Sequence, residues 1–151
     1  MRTGAPVEKR EKDIRIRNQI VKAIHDAGGK IMAGSDTPEW LMLYGHTLHL
    51  EMIDLRDAGL SNYAALESAT KNPAMFLNLS DQAGTIAIGK RGDLVLLDAN
   101  PLEDIANTQK RAGVMIKGQY FTQAEMNRWL DEIAPRFHHS LDAEKPLLGG
   151  R

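Results

Sequence analysis

One carboxylate, Asp36, stands where catalytic groups are common. It follows the apolar run 31–33 and lies in the turn-forming segment Gly-Ser-Asp-Thr-Pro, residues 34–38. The pattern predicts a buried strand over residues 30–34 that ends beside an acid. At the carboxyl end of a strand in a parallel α/β barrel, such an acid can bind a divalent cation or accept a proton. The alternative is an Asx turn, in which Asp36 caps the following backbone, and spacing alone favours that alternative.

Two histidines and a glutamate form a second group with possible chemistry. His46 and His49 are three residues apart at the start of a predicted helix, and Glu51 follows, so the side chains can share a face. A metal pair is one interpretation. The other is that one imidazole packs against neighbours while the second hydrogen-bonds a backbone carbonyl. The His-x-x-His spacing alone favours the second interpretation.

Composition and charge exclude several classes of function. The chain has 151 residues, with 19 Lys and Arg against 20 Asp and Glu mixed along its length, which indicates no basic face for nucleic acid. It has no cysteine, so His, Asp or Glu would have to hold any metal. No apolar run approaches the length of a membrane span, and no signal-peptide core follows Met1. We therefore expect a cytoplasmic protein without nucleic-acid or membrane partners.

Apolar periodicity and end signals predict a first part built mainly from helices around the short strand over 30–34. Gly28 and Gly29 supply the left-handed stop of the first helix. The predicted helices cover residues 8–27, residues 46–58, a stretch capped by Ser61, and residues 74–77 behind an Asn72 cap with Pro73 in the first turn.

The second part is richer in strands and ends in a helix. Residues 122–125 form a capping box that opens this helix, and Pro135 is predicted to close it. The predicted strands cover residues 85–88, residues 93–98 (covered on both faces), and residues 114–116 and 119–121, which flank Lys117-Gly118 as a hairpin. These elements predict three segments, residues 1–80, residues 81–137, and a flexible tail over 138–151.

The first part contains a single parallel-type strand. A lone strand cannot satisfy its own backbone hydrogen bonds, so it needs neighbouring strands. Those neighbours come either from another chain or from a longer protein of which this chain is a piece. We therefore expect the partners to include a missing N-terminal half or a second copy of the chain.

With these residues in view, the chain resembles the C-terminal portion of the amidohydrolase superfamily, close to its imidazolonepropionase- and prolidase-like members. The resemblance covers residues 10–137. Several short sequence pieces carry the resemblance, and their order and spacing are more specific than any one of them. The pieces are Ala-Gly-Ser-Asp-Thr-Pro at 33–38, Leu-His-Leu-Glu-Met at 48–52, Ala-Gly-Leu-Ser at 58–61, Ala-Thr-Lys-Asn-Pro-Ala at 69–74, and the glycine-punctuated stretch 84–95.

The resemblance implies an α/β fold, the C-terminal part of a metal-dependent TIM barrel with part of a small β-sandwich and a terminal helix. Residues 30–34 would be the last barrel strand, and residues 85–121 the returning half of the sandwich. Asp36 would bind the metal, expected to be zinc, and act as general base. His49 would contact a small-molecule substrate. The implied reaction is hydrolysis of a C–N bond in an amide, cyclic amide or dipeptide-like substrate.

The chain departs from the family pattern in its metal ligands, and this affects the expected activity as much as the resemblance does. The family's other metal ligands precede the region that this chain matches, and His46 and His49 follow Asp36 on a helix. A catalytic metal normally takes three or more protein ligands, so we expect this chain alone to be inactive. The alternative is a non-catalytic remnant or interaction module of an amidohydrolase-like protein.

Overall fold

The computed structural model describes residues 7–36 and 45–143. Helices and strands both occur in these ranges, with a small antiparallel sheet late in the chain. No helix in the described ranges is both long and apolar enough to cross a membrane. The elements in chain order are α1 (Val7–Asp26), α2 (His46–Asp57), α3 (Asn62–Ala69), α4 (Lys71–Phe76), β1 (Leu94–Leu97), a 3₁₀ helix (Ile105–Gln109), β2 (Arg111–Ile116), β3 (Gln119–Thr122) and α5 (Gln123–Ala143).

The chain divides into two compact units. Residues up to Arg91 together with Leu97–Lys110 make the first, and Gly92–Leu96 together with the residues from Arg111 onward make the second. The first unit therefore holds the helices α1 to α4 and the 3₁₀ helix, while the second holds the hairpin and α5. The sequence-based division into residues 1–80, 81–137 and 138–151 stays a prediction.

Glycine ends α1 as its sequence predicts. Gly28 has φ 82°, a left-handed conformation that costs glycine little. The backbone N–H of Gly28 donates to the carbonyl of His25 at 2.9 Å, and that of Gly29 donates to Ile24 at 2.9 Å. These bonds satisfy carbonyls that the helix end would otherwise leave open. The helix predicted over 8–27 is confirmed.

The strand predicted over residues 30–34 does not form in this structure. Residues 29–36 belong to no regular element, because a strand needs a neighbour with which to form a hydrogen-bond ladder. Backbone groups of the segment bond to the helices instead. The N–H of Ala33 donates to the carbonyl of Ser68 at 2.9 Å, and the side-chain amide of Asn72 donates to the carbonyl of Ile31 at 2.8 Å.

Local signals locate α2 and α3 correctly, but the cap of α4 is different from the prediction. Ser61 accepts a hydrogen bond from the N–H of Ala64 at 3.1 Å, so it is the predicted N-cap of α3. Thr70 occupies the N-cap position of α4 without a side-chain cap bond. Asn72 lies inside α4, and its amide is used for the contact with Ile31. The prediction that Asn72 caps this helix is therefore wrong.

The core of the first unit is small and lies where α2, α3 and the 3₁₀ helix meet. Ile105 from the 3₁₀ helix is fully buried, at 0% exposure. The buried cluster consists of Met52, Leu55, Leu60, Ala65 and Ile105. Many large apolar side chains of the described residues stay exposed, among them Ile20 on α1 and Phe76 on α4. The helices thus present more apolar surface than this core covers.

The predicted hairpin is confirmed in the second unit. β2 and β3 pair antiparallel, with Ile116 opposite Gln119 and Val114 opposite Phe121. The two turn residues, Lys117 and Gly118, have φ 51° and 81°, which is the mirror-image turn geometry that matches the twist of a two-residue hairpin. β1 lies beside β2, so the sheet order is β1-β2-β3.

The prediction of a strand over residues 85–88 and the prediction that β1 is covered on both faces fail for the same physical reason. No strand forms over residues 85–88, where Ile86 and Ile88 are 86% and 106% exposed. β1 forms as predicted, but it is not covered on both faces, because Val95 and Leu96 are both 56% exposed. The apolar sequences of both segments are typical of strands covered by other protein, and the described residues do not provide this cover.

The capping box at the start of α5 is confirmed. The hydroxyl of Thr122 accepts from the N–H of Glu125 at 3.2 Å, and the carboxylate of Glu125 accepts from the N–H of Thr122 at 2.7 Å. Phe121 and Trp129 make an edge-to-face contact with ring centroids 5.2 Å apart. The prediction that Pro135 ends the helix is wrong. α5 continues through it to Ala143, since a proline removes one N–H donor without forcing every helix to stop.

We expect the capping box to make the stability of α5 depend on acid. Hydrogen bonds from the backbone and hydroxyl of Thr122 lower the pKa of Glu125 from its ordinary value of 4.5. A lowered folded-state pKa stabilises the helix above the unfolded pKa, and this stabilisation is lost as pH falls through the folded pKa. Glu125→Gln should therefore lower the thermal midpoint at pH 7 and remove part of its decrease in acid. Circular dichroism melts across pH test this, with Glu132→Gln on the same helix as control.

Candidate active site

The structure places Asp36 at the end of the apolar segment, with its side chain exposed. Its backbone has φ 48°, in the left-handed region that aspartate visits more readily than most residues. An exposed carboxylate is accessible to a substrate or a cation. The Asx-turn alternative depends on residues 37–39, and the apolar loop 40–44 follows; both lie outside the described residues.

The surroundings of Glu51 on α2 shift its pKa. Partial burial raises the pKa of Glu51, and the negative charge of Asp54 raises it further, while a hydrogen bond from the backbone of Gly34 acts in the opposite direction. The charged carboxylate is thus held in a place that disfavours charge, and the Gly34 N–H is a group that offsets part of this cost.

His49 contacts the 3₁₀ helix. Its Nδ1 lies 3.0 Å from the hydroxyl oxygen of Thr108, and that hydroxyl donates its single proton to the carbonyl of Ile105 at 2.8 Å. The hydroxyl must therefore accept from Nδ1–H, which in a neutral imidazole makes Nε2 the acceptor nitrogen. Thr108 is buried, at 6% exposure, so this bond ties α2 to a segment 59 residues later in the chain.

The histidines and Asp36 do not form a metal site in this structure. Within residues 7–36 and 45–143, no three or more His, Asp or Glu side chains are grouped so that they could hold a metal ion. His46 is exposed at the start of α2, and His49 bonds Thr108. The carboxylate of Asp36 by itself does not make a zinc site, which takes three or more protein ligands.

A profile of the amidohydrolase family matches residues 8–120, the greater part of the sequence. This chain belongs to the amidohydrolase family. The match includes the apolar segment, Asp36, helices α2 to α4, the 3₁₀ helix and most of the hairpin. No curated protein matches the chain.

Solved structures support the same relationship. The chain is similar to a Xaa-Pro dipeptidase with bound methionine, at 27% identity and a TM-score of 0.63, over 70% of this chain and 25% of that one. It is similar to molinate hydrolase, at 30% identity and 0.59, over 67% and 25%. It is also similar to a prolidase in complex with N-methylphosphonate-L-proline, at 32% identity and 0.57, over 70% and 26%. The chain thus spans about a quarter of the length of these proteins.

Two contacts in this region could not be predicted from the sequence. Asn72 follows the pattern of a helix cap but holds Ile31, 41 residues earlier. Thr108, the partner of His49, sits in a stretch without any catalytic motif. One interpretation of the His46 and His49 spacing was that one imidazole hydrogen-bonds a backbone carbonyl, whereas the observed partner of His49 is the side-chain hydroxyl of Thr108.

Proposed function

We propose that this chain is the C-terminal part of a metal-dependent amidohydrolase that hydrolyses a C–N bond in a small amide, cyclic amide or dipeptide-like substrate. The observation that carries the proposal is the family match over residues 8–120, with Asp36 exposed inside it. The similar proteins named as a Xaa-Pro dipeptidase and a prolidase favour the dipeptide-like class. Because the match covers only about a quarter of each of those proteins, we assign the activity to the complete protein.

We propose that residues 30–34 become the last strand of a TIM barrel when neighbouring strands are present, and that residues 85–121 complete a β-sandwich. Apolar side chains without cover support this arrangement, since Met32 is 42% exposed and Ile88 is 106% exposed. Surfaces of this kind normally contact other protein. These neighbouring strands belong either to an N-terminal half that is not part of this sequence or to a second copy of the chain.

Asp36 is the residue that we propose for both metal binding and catalysis. The described residues alone do not fit a metal site, so the remaining ligands must come from the partner half. In the complete site a divalent metal, expected to be zinc, would supply Lewis-acid chemistry. Asp36 would accept a proton from the attacking water and return it to the leaving nitrogen, a general-base role that needs an exposed, ionised carboxylate.

The predicted contact of His49 with substrate remains a prediction. Nδ1 of this histidine lies 3.0 Å from the hydroxyl of Thr108, a contact that holds the imidazole beside the 3₁₀ helix.

Completion of the barrel tests the proposal. We define the barrel-completed fusion as the 151 residues joined behind the part of the Xaa-Pro dipeptidase that precedes their match. With zinc, this fusion should hydrolyse Xaa-Pro dipeptides, and the 151-residue chain alone should show no turnover above that of zinc in buffer. Folded, zinc-loaded fusion without hydrolysis would contradict the proposal and favour a non-catalytic remnant or interaction module.

A further inference from the structure

The Leu97–Lys110 segment leaves the sheet after β1 and packs on the helices of the first unit before the chain returns at β2. The side-chain amide of Asn62 in α3 donates to the carbonyl of Leu102 at 2.9 Å. Ile105 in the 3₁₀ helix is fully buried in the cluster with residues of α2. Apolar and polar contacts together therefore fix this segment to α2 and α3.

Side chains within the same segment also hold its backbone. The carboxylate of Asp104 caps the 3₁₀ helix, because it accepts from the N–H of Ala106 at 3.0 Å. The amide of Asn107, which is buried, donates to the carbonyl of Asn100 at 2.9 Å. Thr108 comes next in the chain, so its position is set by a backbone that is tied to itself as well as to the helices.

Two polar side chains meet beside the apolar contact between this segment and α2. Residues three apart in a 3₁₀ helix lie on one side, so Thr108 is on the side of Ile105. On α2, His49 precedes Met52 by three residues and shares its face. Met52 and Ile105 both belong to the buried cluster. The hydrogen bond between Nδ1 of His49 and the hydroxyl of Thr108, at 3.0 Å, thus lies at the border of the core.

The second bond of the Thr108 hydroxyl sets the direction of this hydrogen bond. The hydroxyl donates its single proton to the carbonyl of Ile105 at 2.8 Å. Only its lone pairs remain for His49, so Nδ1 has to carry a proton. Free neutral histidine prefers the proton on Nε2. The contact with Thr108 therefore selects the less common form of the ring.

We propose that Thr108 is a positioning residue, whose hydroxyl holds the imidazole of His49 in one orientation with a proton on Nδ1. The consequence for substrate binding rests on the proposed function, in which His49 contacts the substrate. The orientation and the protonated nitrogen of the ring do not depend on catalysis, and they can be measured in the 151-residue chain.

¹⁵N nuclear magnetic resonance of the imidazole rings tests which nitrogen carries the proton. In mildly alkaline buffer, in which histidine rings are neutral, a protonated ring nitrogen resonates far upfield of an unprotonated one. The signals of His49, among the five histidines of the chain, are those that disappear in His49→Gln. Nδ1 of His49 should give the upfield signal in the unaltered chain. A downfield Nδ1 signal there would overturn the proposal without any change at Thr108.

Substitutions of Thr108 separate its hydroxyl from its shape. Thr108→Val keeps the size of the side chain but removes the acceptor, so the proton should move to Nε2 in most molecules. Thr108→Ser keeps the hydroxyl and should keep the proton on Nδ1. Thr70→Val is the matched control, because the Thr70 hydroxyl also donates to a backbone carbonyl, that of Leu66 at 2.7 Å. This control should leave the His49 signals unchanged.

A proton that stays on Nδ1 in a folded Thr108→Val chain would refute the role of the hydroxyl. If the valine variant does not fold, a nuclear Overhauser effect in the unaltered chain decides. The Nδ1 proton of His49 should show this effect with the side-chain protons of Thr108, and its absence would exclude the contact.

Kinetics of the barrel-completed fusion measure the consequence for the substrate. Thr108→Val should raise KM about twofold to tenfold with little change in kcat, the pattern expected when a group that binds the substrate loses one hydrogen bond that holds it. Thr108→Ser should restore most of the affinity, and Thr70→Val should match the unaltered fusion.

The two readouts separate failure of this inference from failure of the proposed function. If the His49 ring responds to Thr108→Val but the fusion does not hydrolyse dipeptides, the proposed function fails and the positioning role stands. An active fusion combined with a ring that does not respond would refute the positioning role alone. A ring that responds while KM stays unchanged would show that Thr108 positions His49 but that His49 does not contact the substrate.

Discussion

Asp36→Asn should reduce kcat of the barrel-completed fusion by at least about 10²–10⁴-fold, the range that loss of a general base produces. The asparagine amide has nearly the shape of the carboxylate but cannot accept the proton from water. It also lacks the negative charge that binds a cation. Both roles proposed for Asp36 are therefore lost in one substitution, which makes this the largest functional effect that we expect.

Asparagine is the appropriate replacement because it separates chemistry from folding. Asp36 has φ 48°, and asparagine is one of the few residues that share aspartate's tolerance of this conformation. Steady-state kinetics with a melting curve for each variant make the measurement. Asp81→Asn, which changes an exposed aspartate in a turn, is the matched control and should keep full activity. Normal turnover by a folded Asp36→Asn protein would exclude the general-base role.

Ile105→Ala should produce the largest loss of stability, about 2–5 kcal/mol in the free energy of unfolding. Ile105 is fully buried and is the residue of the 3₁₀ helix in the cluster with Met52 and Leu55 of α2. Truncation of this side chain leaves a cavity in a core of few residues. The cavity can close only if contacts between the helices are lost. Since the free energy of unfolding of a small domain is about 5–15 kcal/mol in all, the first unit would lose much of its stability.

The same substitution at an exposed isoleucine provides the control. Ile88 is 106% exposed, so Ile88→Ala in the 151-residue chain should change stability by no more than about 0.5 kcal/mol. Urea unfolding followed by circular dichroism measures both variants. Equal effects at the two positions would show that the described core does not stabilise the chain. In the barrel-completed fusion, a clear cost for Ile88→Ala would support the proposed β-sandwich cover.

Elements whose signals are local could be predicted from the sequence. The stop at Gly28, the Ser61 cap, the Lys117-Gly118 turn and the Thr122 capping box all involve residues within a few positions of each other, and all form as predicted. Each depends on the conformational preference of a glycine, serine or threonine rather than on distant chain. Such preferences act whether or not the rest of a fold is present.

Elements that need a partner from a distant part of the chain could not be predicted from the sequence. The apolar patterns over 30–34 and 85–88 describe covered strands, yet neither forms a ladder among the described residues. The same distinction applies near the site, because the sequence around Asn72 has the pattern of a local helix cap, whereas its amide bonds the carbonyl of Ile31, 41 residues earlier. The end of α5 was predicted wrongly for a different reason. Pro135 weakens the helix locally but does not determine where it ends.

Zinc binding by equilibrium dialysis, with the metal counted per chain, tests the central claim most directly. The claim is that Asp36 contributes one ligand to a site whose other ligands lie outside these 151 residues. The isolated chain should retain less than one tightly bound zinc, while the barrel-completed fusion should bind zinc stoichiometrically and lose affinity on Asp36→Asn. One tightly held zinc per isolated chain, accompanied by dipeptide hydrolysis, would contradict the claim.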